Sequence, residues 1–68
     1  MGLAYKVKTI REALGWNQQR LAEKSGITQA TISRIESGKV IDPRLSQITK
    51  IAEAFDVTVD YLLGKFDD

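Results

Sequence analysis

The stretch QQRLAEKSGITQATISRIESGK, residues 18–39, decides how this chain folds. It divides into two short segments of helical apolar spacing, near 18–24 and 29–37, separated by Ser25, Gly26 and Ile27 ahead of a capping Thr28. So short a link does not let two helices lie side by side as an antiparallel hairpin, so they must cross sharply. At about 100° per residue from Gln29, the residues Ala30, Ser33, Arg34 and Ser37 fall between about 40° and 140°, while Thr28, Thr31, Ile32 and Ile35 fall between about 200° and 300°. The second segment therefore has one polar face and one apolar face. On the polar face, short side chains (Ala30, Ser33, Ser37) stand between two long hydrogen-bonding ones, Gln29 and Arg34.

Outward from this stretch, the same signals repeat. Trp16-Asn17, Ile27-Thr28 and Val57-Thr58 each place an apolar residue before a capping side chain, and Leu21, Ile32 and Leu62 follow at the position that closes a hydrophobic staple. Gly15, Gly26, Gly38 and Gly64 each follow a helical stretch and mark its stop. Leu3, Val7, Ile10 and Leu14 give the first helix its stripe; Leu45, Ile48, Ala52 and Phe55 do the same for the fourth. The expected fold is all-α, a compact domain spanning residues 1–68 with five helices near 3–14, 18–24, 29–37, 45–55 and 59–63. Its expected core includes Leu14, Trp16, Leu21, Ile32, Ile35, Ile48, Phe55 and Leu62. Pro43 falls in the longest connection, and Asp42 is read as capping the turn into the fourth helix.

Composition narrows the function. The chain has 68 residues, 43% hydrophobic and 28% charged, without Cys or His. Disulfides, thiolate or histidine catalysis, zinc fingers and His-ligated metals are thereby excluded. Glu12, Glu23, Glu36 and Glu53 share no spacing that would converge them into an acid–base dyad, so no enzyme, cofactor or small-molecule ligand is expected. With no signal peptide and no apolar run long enough for a membrane span, a cytoplasmic location is expected. The net charge of +1 hides an asymmetry: residues 1–39 carry +4 and residues 40–68 carry −3. A basic half backed by an acidic one suits a nucleic-acid face.

The short turn between the second and third helices is the helix-turn-helix pattern, and residues 18–39 resemble the lambda-repressor-like, Cro-type family of DNA-binding proteins. The resemblance extends over nearly the whole chain: Arg11, the Leu21-Ala22 pair, Gly26, Ile32, the Ile35-Glu36-x-Gly38-Lys39 close, Pro43, and Val57-Thr58-Val59-Asp60-Tyr61-Leu62-Leu63. It implies a sequence-specific regulator, a repressor type, with the third helix in the major groove of a double-stranded operator. Gln suits adenine N6 and N7, and Arg suits guanine O6 and N7. Gln29, Ala30, Ser33 and Arg34 are accordingly expected at base edges. Gln18, Thr28, Ser37, Lys39 and Arg44 are expected at phosphates, Gln18 also bracing Gln29. Arg11 and Glu36 resemble the family's structural ion pair. The chain departs from many relatives in placing Val40, Ile41 and Asp42, rather than basic residues, after Lys39.

Trp16 is read as core, and Tyr5, beside Lys6 and Lys8, as a surface residue without function. A homodimer assembled on a pseudo-palindromic site is expected, because one such helix reads only a few base pairs. The resemblance assigns its contact to Ile41, Val57, Val59 and Tyr61. The alternative is an antitoxin or adaptor whose main partner is a protein, met by the apolar Val40-Ile41 pair.

Overall fold

The computed structural model describes residues 2–40 and 43–64. Its helices are α1 (Leu3–Ala13), α2 (Gln18–Ser25), α3 (Gln29–Glu36), α4 (Leu45–Phe55) and α5 (Val59–Leu62), with no strand among the described residues. Each of the three caps expected behind an apolar residue closes a hydrogen bond to the backbone three residues on. Asn17 Oδ1 accepts from the Arg20 N–H at 2.7 Å, Thr28 Oγ1 from Thr31 at 3.3 Å and Thr58 Oγ1 from Tyr61 at 3.0 Å. One otherwise orphaned donor is satisfied at each start. Helix α4 starts differently. Its N-cap is Arg44, whose guanidinium cannot accept, so only the returning half of a capping box forms, from the Arg44 N–H to Gln47 Oε1 at 3.3 Å. The residues Ile41 and Asp42, assigned above to a dimer contact and a cap, lie outside the described residues.

The helix stops follow the glycines, all four at φ between 74° and 78°. At Gly15, the Trp16 N–H donates to Arg11 O at 3.1 Å and the Gly15 N–H to Glu12 O at 3.0 Å, the paired bonds of a Schellman stop. Helix α4 ends on the same pattern without a glycine: Asp56 takes φ 59°, Val57 donates to Ala52 O and Asp56 to Glu53 O. Asp is one of the few L-residues that enter this region readily.

Val7, Leu21, Ile27, Ile32, Ile35, Ile48, Ile51, Ala52, Phe55 and Leu62 form one buried cluster. Trp16 is partly buried against it, its ring centroid 5.9 Å from that of Phe55. Leu14 corrects the expectation, being 47% exposed. It is the last αR residue of α1, and the left-handed turn at Gly15 carries the chain away from the stripe, so Trp16 takes the inward place. Val40, one of the pair that the adaptor reading offers to a protein partner, packs partly buried against the cluster.

Helix α3 leans mainly on α1 and α2, while α4 packs against α2, α1 and α5. The reading helix of the sequence analysis thus lies at one side of the molecule, with the apolar bulk of α4 behind its neighbours.

Candidate nucleic-acid interface

The turn that aims α3 is built from local bonds. Gly26, at φ 75°, donates its N–H to Ala22 O at 2.9 Å and ends α2. Ser25 is buried, and its Oγ accepts the Ile27 N–H at 3.2 Å. Ile27 enters the core, so the chain must leave the turn with Thr28 outward, ready to cap. From there the wheel positions sort as their chemistry requires. Ile32 and Ile35 are 0% and 2% exposed. Gln29, Ala30, Ser33, Arg34 and Ser37 are all exposed, as are Thr28, Lys39 and Arg44. Neither Gln29 nor Arg34 has a side-chain partner among the described residues, so both remain available to a ligand. Two of the hydroxyls are already engaged: Thr28 donates to Thr31 Oγ1 at 2.9 Å, and Ser37 donates to Arg34 O at 2.9 Å.

What fixes α3 against α1 is an ion pair with a third partner. Arg11 Nε donates to Glu36 Oε2 at 2.7 Å and Nη2 to Oε1 at 3.0 Å, while Nη1 donates to the Trp16 carbonyl at 2.7 Å. The two side chains are 11% and 4% exposed. Hydrogen bonding to Glu36 raises the Arg11 pKa above its ordinary value, overcoming the opposing effect of burial. One guanidinium therefore ties together α1, the turn that follows it and the end of α3. The bond to Trp16 has no sequence signal, since any residue supplies a carbonyl.

Gln18 corrects a detail of the resemblance. Its Nε2 donates to Glu36 Oε1 at 3.2 Å rather than reaching Gln29. The buried carboxylate is a stronger acceptor than an exposed amide. Of the residues assigned to a dimer contact, Val57 and Val59 are partly buried against the core, and Tyr61 is 41% exposed with the Lys6 ammonium 4.5 Å from its ring centroid.

The residues 7–62 match a helix-turn-helix family, that of the Cro/C1 type. The chain belongs to this family of DNA-binding transcriptional regulators. It is 36% identical over 55 residues to YgzD of Bacillus subtilis, an uncharacterized HTH-type transcriptional regulator, covering 81% of this chain and 82% of YgzD. It is 29% identical over 66 residues to the HTH-type transcriptional regulator SinR of Bacillus licheniformis, covering 97% of this chain and 60% of SinR. An uncharacterized regulator of Coxiella burnetii is 33% identical over 63 residues, 29% of its own length. The chain thus spans well under two thirds of some curated relatives. Among solved structures, that of a hypothetical transcription factor, NHTF, from Neisseria superposes with a TM-score of 0.83 at 34% identity, over 90% of this chain and 69% of that one. No helix among the described residues is long and apolar enough to cross a membrane.

Proposed function

We propose that the chain is the operator-reading part of a repressor, which lays α3 in the major groove of double-stranded DNA and acts as a dimer on a pseudo-palindromic site. The observation that carries this reading is the division of α3: two isoleucines seal one face into the core, and the opposite face presents Gln29 and Arg34 exposed over short side chains. Those two side chains have the donor and acceptor patterns that adenine and guanine edges accept, and Ala30 and Ser33 leave room for close approach. Gln18, Thr28, Ser37, Lys39 and Arg44 meet phosphates, which set register without carrying sequence. Tyr61, with the exposed edges of Val57 and Val59 and with Ile41, supplies the contact between copies. So small a patch keeps the free dimer weak and lets DNA complete it.

Repeated selection of bound duplexes from a random-sequence pool tests the reading. One enriched pseudo-palindrome is expected, its half-sites about 34 Å apart, with two chains per duplex in sedimentation and lowered expression when the site overlaps a promoter. A pool that stays unenriched, or a full site that takes one chain, overturns it.

A further inference from the structure

The polar face of α3 constrains how its two long side chains can be spaced on a duplex. Both Gln29 and Arg34 lie within the helix, both are exposed, and neither has a partner among the described residues. We infer that they read purines on opposite strands, Gln29 an adenine and Arg34 a guanine, no more than about two base-pair steps apart. The guanine is the more strictly required. This arrangement rests on the DNA reading above and deepens it, by giving the half-site a strand order and a spacing.

At about 100° per residue, Arg34 lies about 140° round the helix from Gln29. Ser33, Ser37 and Ala30 fall between them, so the two long side chains lean about 70° to either side of the midline of the face. A helix roughly 10–12 Å across fills a groove about 12 Å wide, and side chains on its two flanks meet opposite walls. In every base pair the purine N7 is the acceptor nearest the backbone of its own strand. A side chain leaning to one wall therefore meets the purines of that strand first. Along the axis, five residues advance roughly 7.5 Å, at about 1.5 Å each. Base pairs rise about 3.4 Å, and the path along the winding groove is longer still, which places the two purines at most about two steps apart. An intervening pair meets only Ala30 and Ser33. The hydroxyl suits any base edge and the methyl offers only contact with a thymine methyl, so that pair is weakly specified.

The two contacts differ in strictness. Arg34 presents a rigid, charged fork of donors and accepts nothing, so only the paired acceptors O6 and N7 of guanine satisfy it twice. Gln29 carries both an acceptor and a donor on one amide, and rotation exchanges them. Gln18, the side chain that the resemblance sets to brace it, donates instead to Glu36 at 3.2 Å. The Gln29 amide is left free to turn, and its base pair tolerates substitution that the pair under Arg34 does not.

The test uses the duplex selected by the wild-type chain, with 7-deazaguanine or 7-deazaadenine placed singly on each strand so that one N7 acceptor is lost at a time. Binding is measured for the wild type, Gln29→Ala and Arg34→Ala. In each half-site, loss of one guanine N7 should weaken the wild type about tenfold and leave Arg34→Ala unaffected. Loss of one adenine N7, on the other strand and within about two steps, should weaken the wild type about threefold and leave Gln29→Ala unaffected. The selected pool should be nearly invariant at the guanine and mixed at the adenine. A pool that stays unenriched overturns the DNA reading and this arrangement with it. An enriched site overturns the arrangement alone if no such pair of purines is sensitive, or if the two share a strand or lie further apart. An adenine position as invariant as the guanine overturns the difference in strictness.

Discussion

Helices α3 and α4 are both amphipathic, and they use the same core in opposite ways. Helix α4 buries Ile48, Ile51, Ala52 and Phe55 out of 11 residues; α3 buries only Ile32 and Ile35 out of eight. An isolated helix of eight residues is not stable in water, where roughly 12–15 are marginal. The position of α3 is therefore set from outside: by the cap at Thr28, by two isoleucines, and by Arg11 gripping Glu36. The comparison shows how a small domain frees a helix face for a ligand. Of the two, the helix with the smaller buried face keeps most of its side chains for a ligand, and its placement is delegated to groups on other helices.

Arg11→Ala should break this arrangement with the largest effect, about 3–5 kcal/mol, because it strands the buried Glu36 carboxylate. Replacing both partners by apolar residues of similar volume, Arg11→Met with Glu36→Leu, should recover most of that loss. Thermal melts of the single and double variants decide, and an Arg11→Ala midpoint equal to the wild type would show that the pair does not anchor α3. Next is Ile51→Ala on α4, at 0% exposure, with an expected loss of about 2–5 kcal/mol. Total stability is only about 3–10 kcal/mol for this length, so its melt should move far or vanish. Whatever fraction remains folded should keep the wild-type base preference; a changed preference would place α4 in the reading itself.

Gln29→Ala and Arg34→Ala should do the reverse. Each should leave the melt within about 0.5 kcal/mol, as exposed positions usually do, yet cost about 1–3 kcal/mol on the selected site and relax preference at one base pair. Lys39→Ala should weaken all duplexes alike. If Lys39→Ala shifted preference and Arg34→Ala did not, the division between reading and holding would be wrong.

The smallest effect sharpens the comparison at the end of α4. Asp56 occupies at φ 59° the place that glycine takes at the ends of α1, α2 and α3. Asp56→Gly relieves the side chain of that region but adds freedom to the unfolded chain, so a gain of about 0.5 kcal/mol is expected, or about 2–4 °C in midpoint. A lower midpoint would mean that the Asp56 carboxylate contributes more to the stop than its backbone costs.

Features encoded within a few residues were legible in the sequence. Asn17, Thr28 and Thr58 cap the helices expected of them, and the glycine stops lie where the apolar spacing ends, because each depends on bonds spanning three to five residues. Asp56 escaped notice because an aspartate after a helix is no more conspicuous than any surface acid. Leu14 satisfied its stripe by spacing, but the stripe ran one residue past Ala13, where α1 ends, and the backbone turns at the next residue, Gly15. At the candidate site, the exposed residues of α3 could be sorted by periodicity. The choice of Gln18 between Glu36 and Gln29 depends on which acceptor a fold of three helices leaves desolvated.

The grip of Arg11 has a consequence for packings the chain must avoid. Its donors fit two carboxylate oxygens and one carbonyl, supplied from two separate places in the sequence, Glu36 and Trp16. Any competing arrangement that slides α1 by a turn, or docks α3 the other way round, leaves a desolvated guanidinium facing hydrocarbon. The penalty is several kcal/mol, of the same order as the stability of the whole domain. Short amphipathic helices have many near-equivalent ways to cover one another's apolar stripes, and greasy contacts discriminate poorly among them. A single side chain that is content in only one arrangement works as an error check on assembly, raising the alternatives more than it lowers the native state.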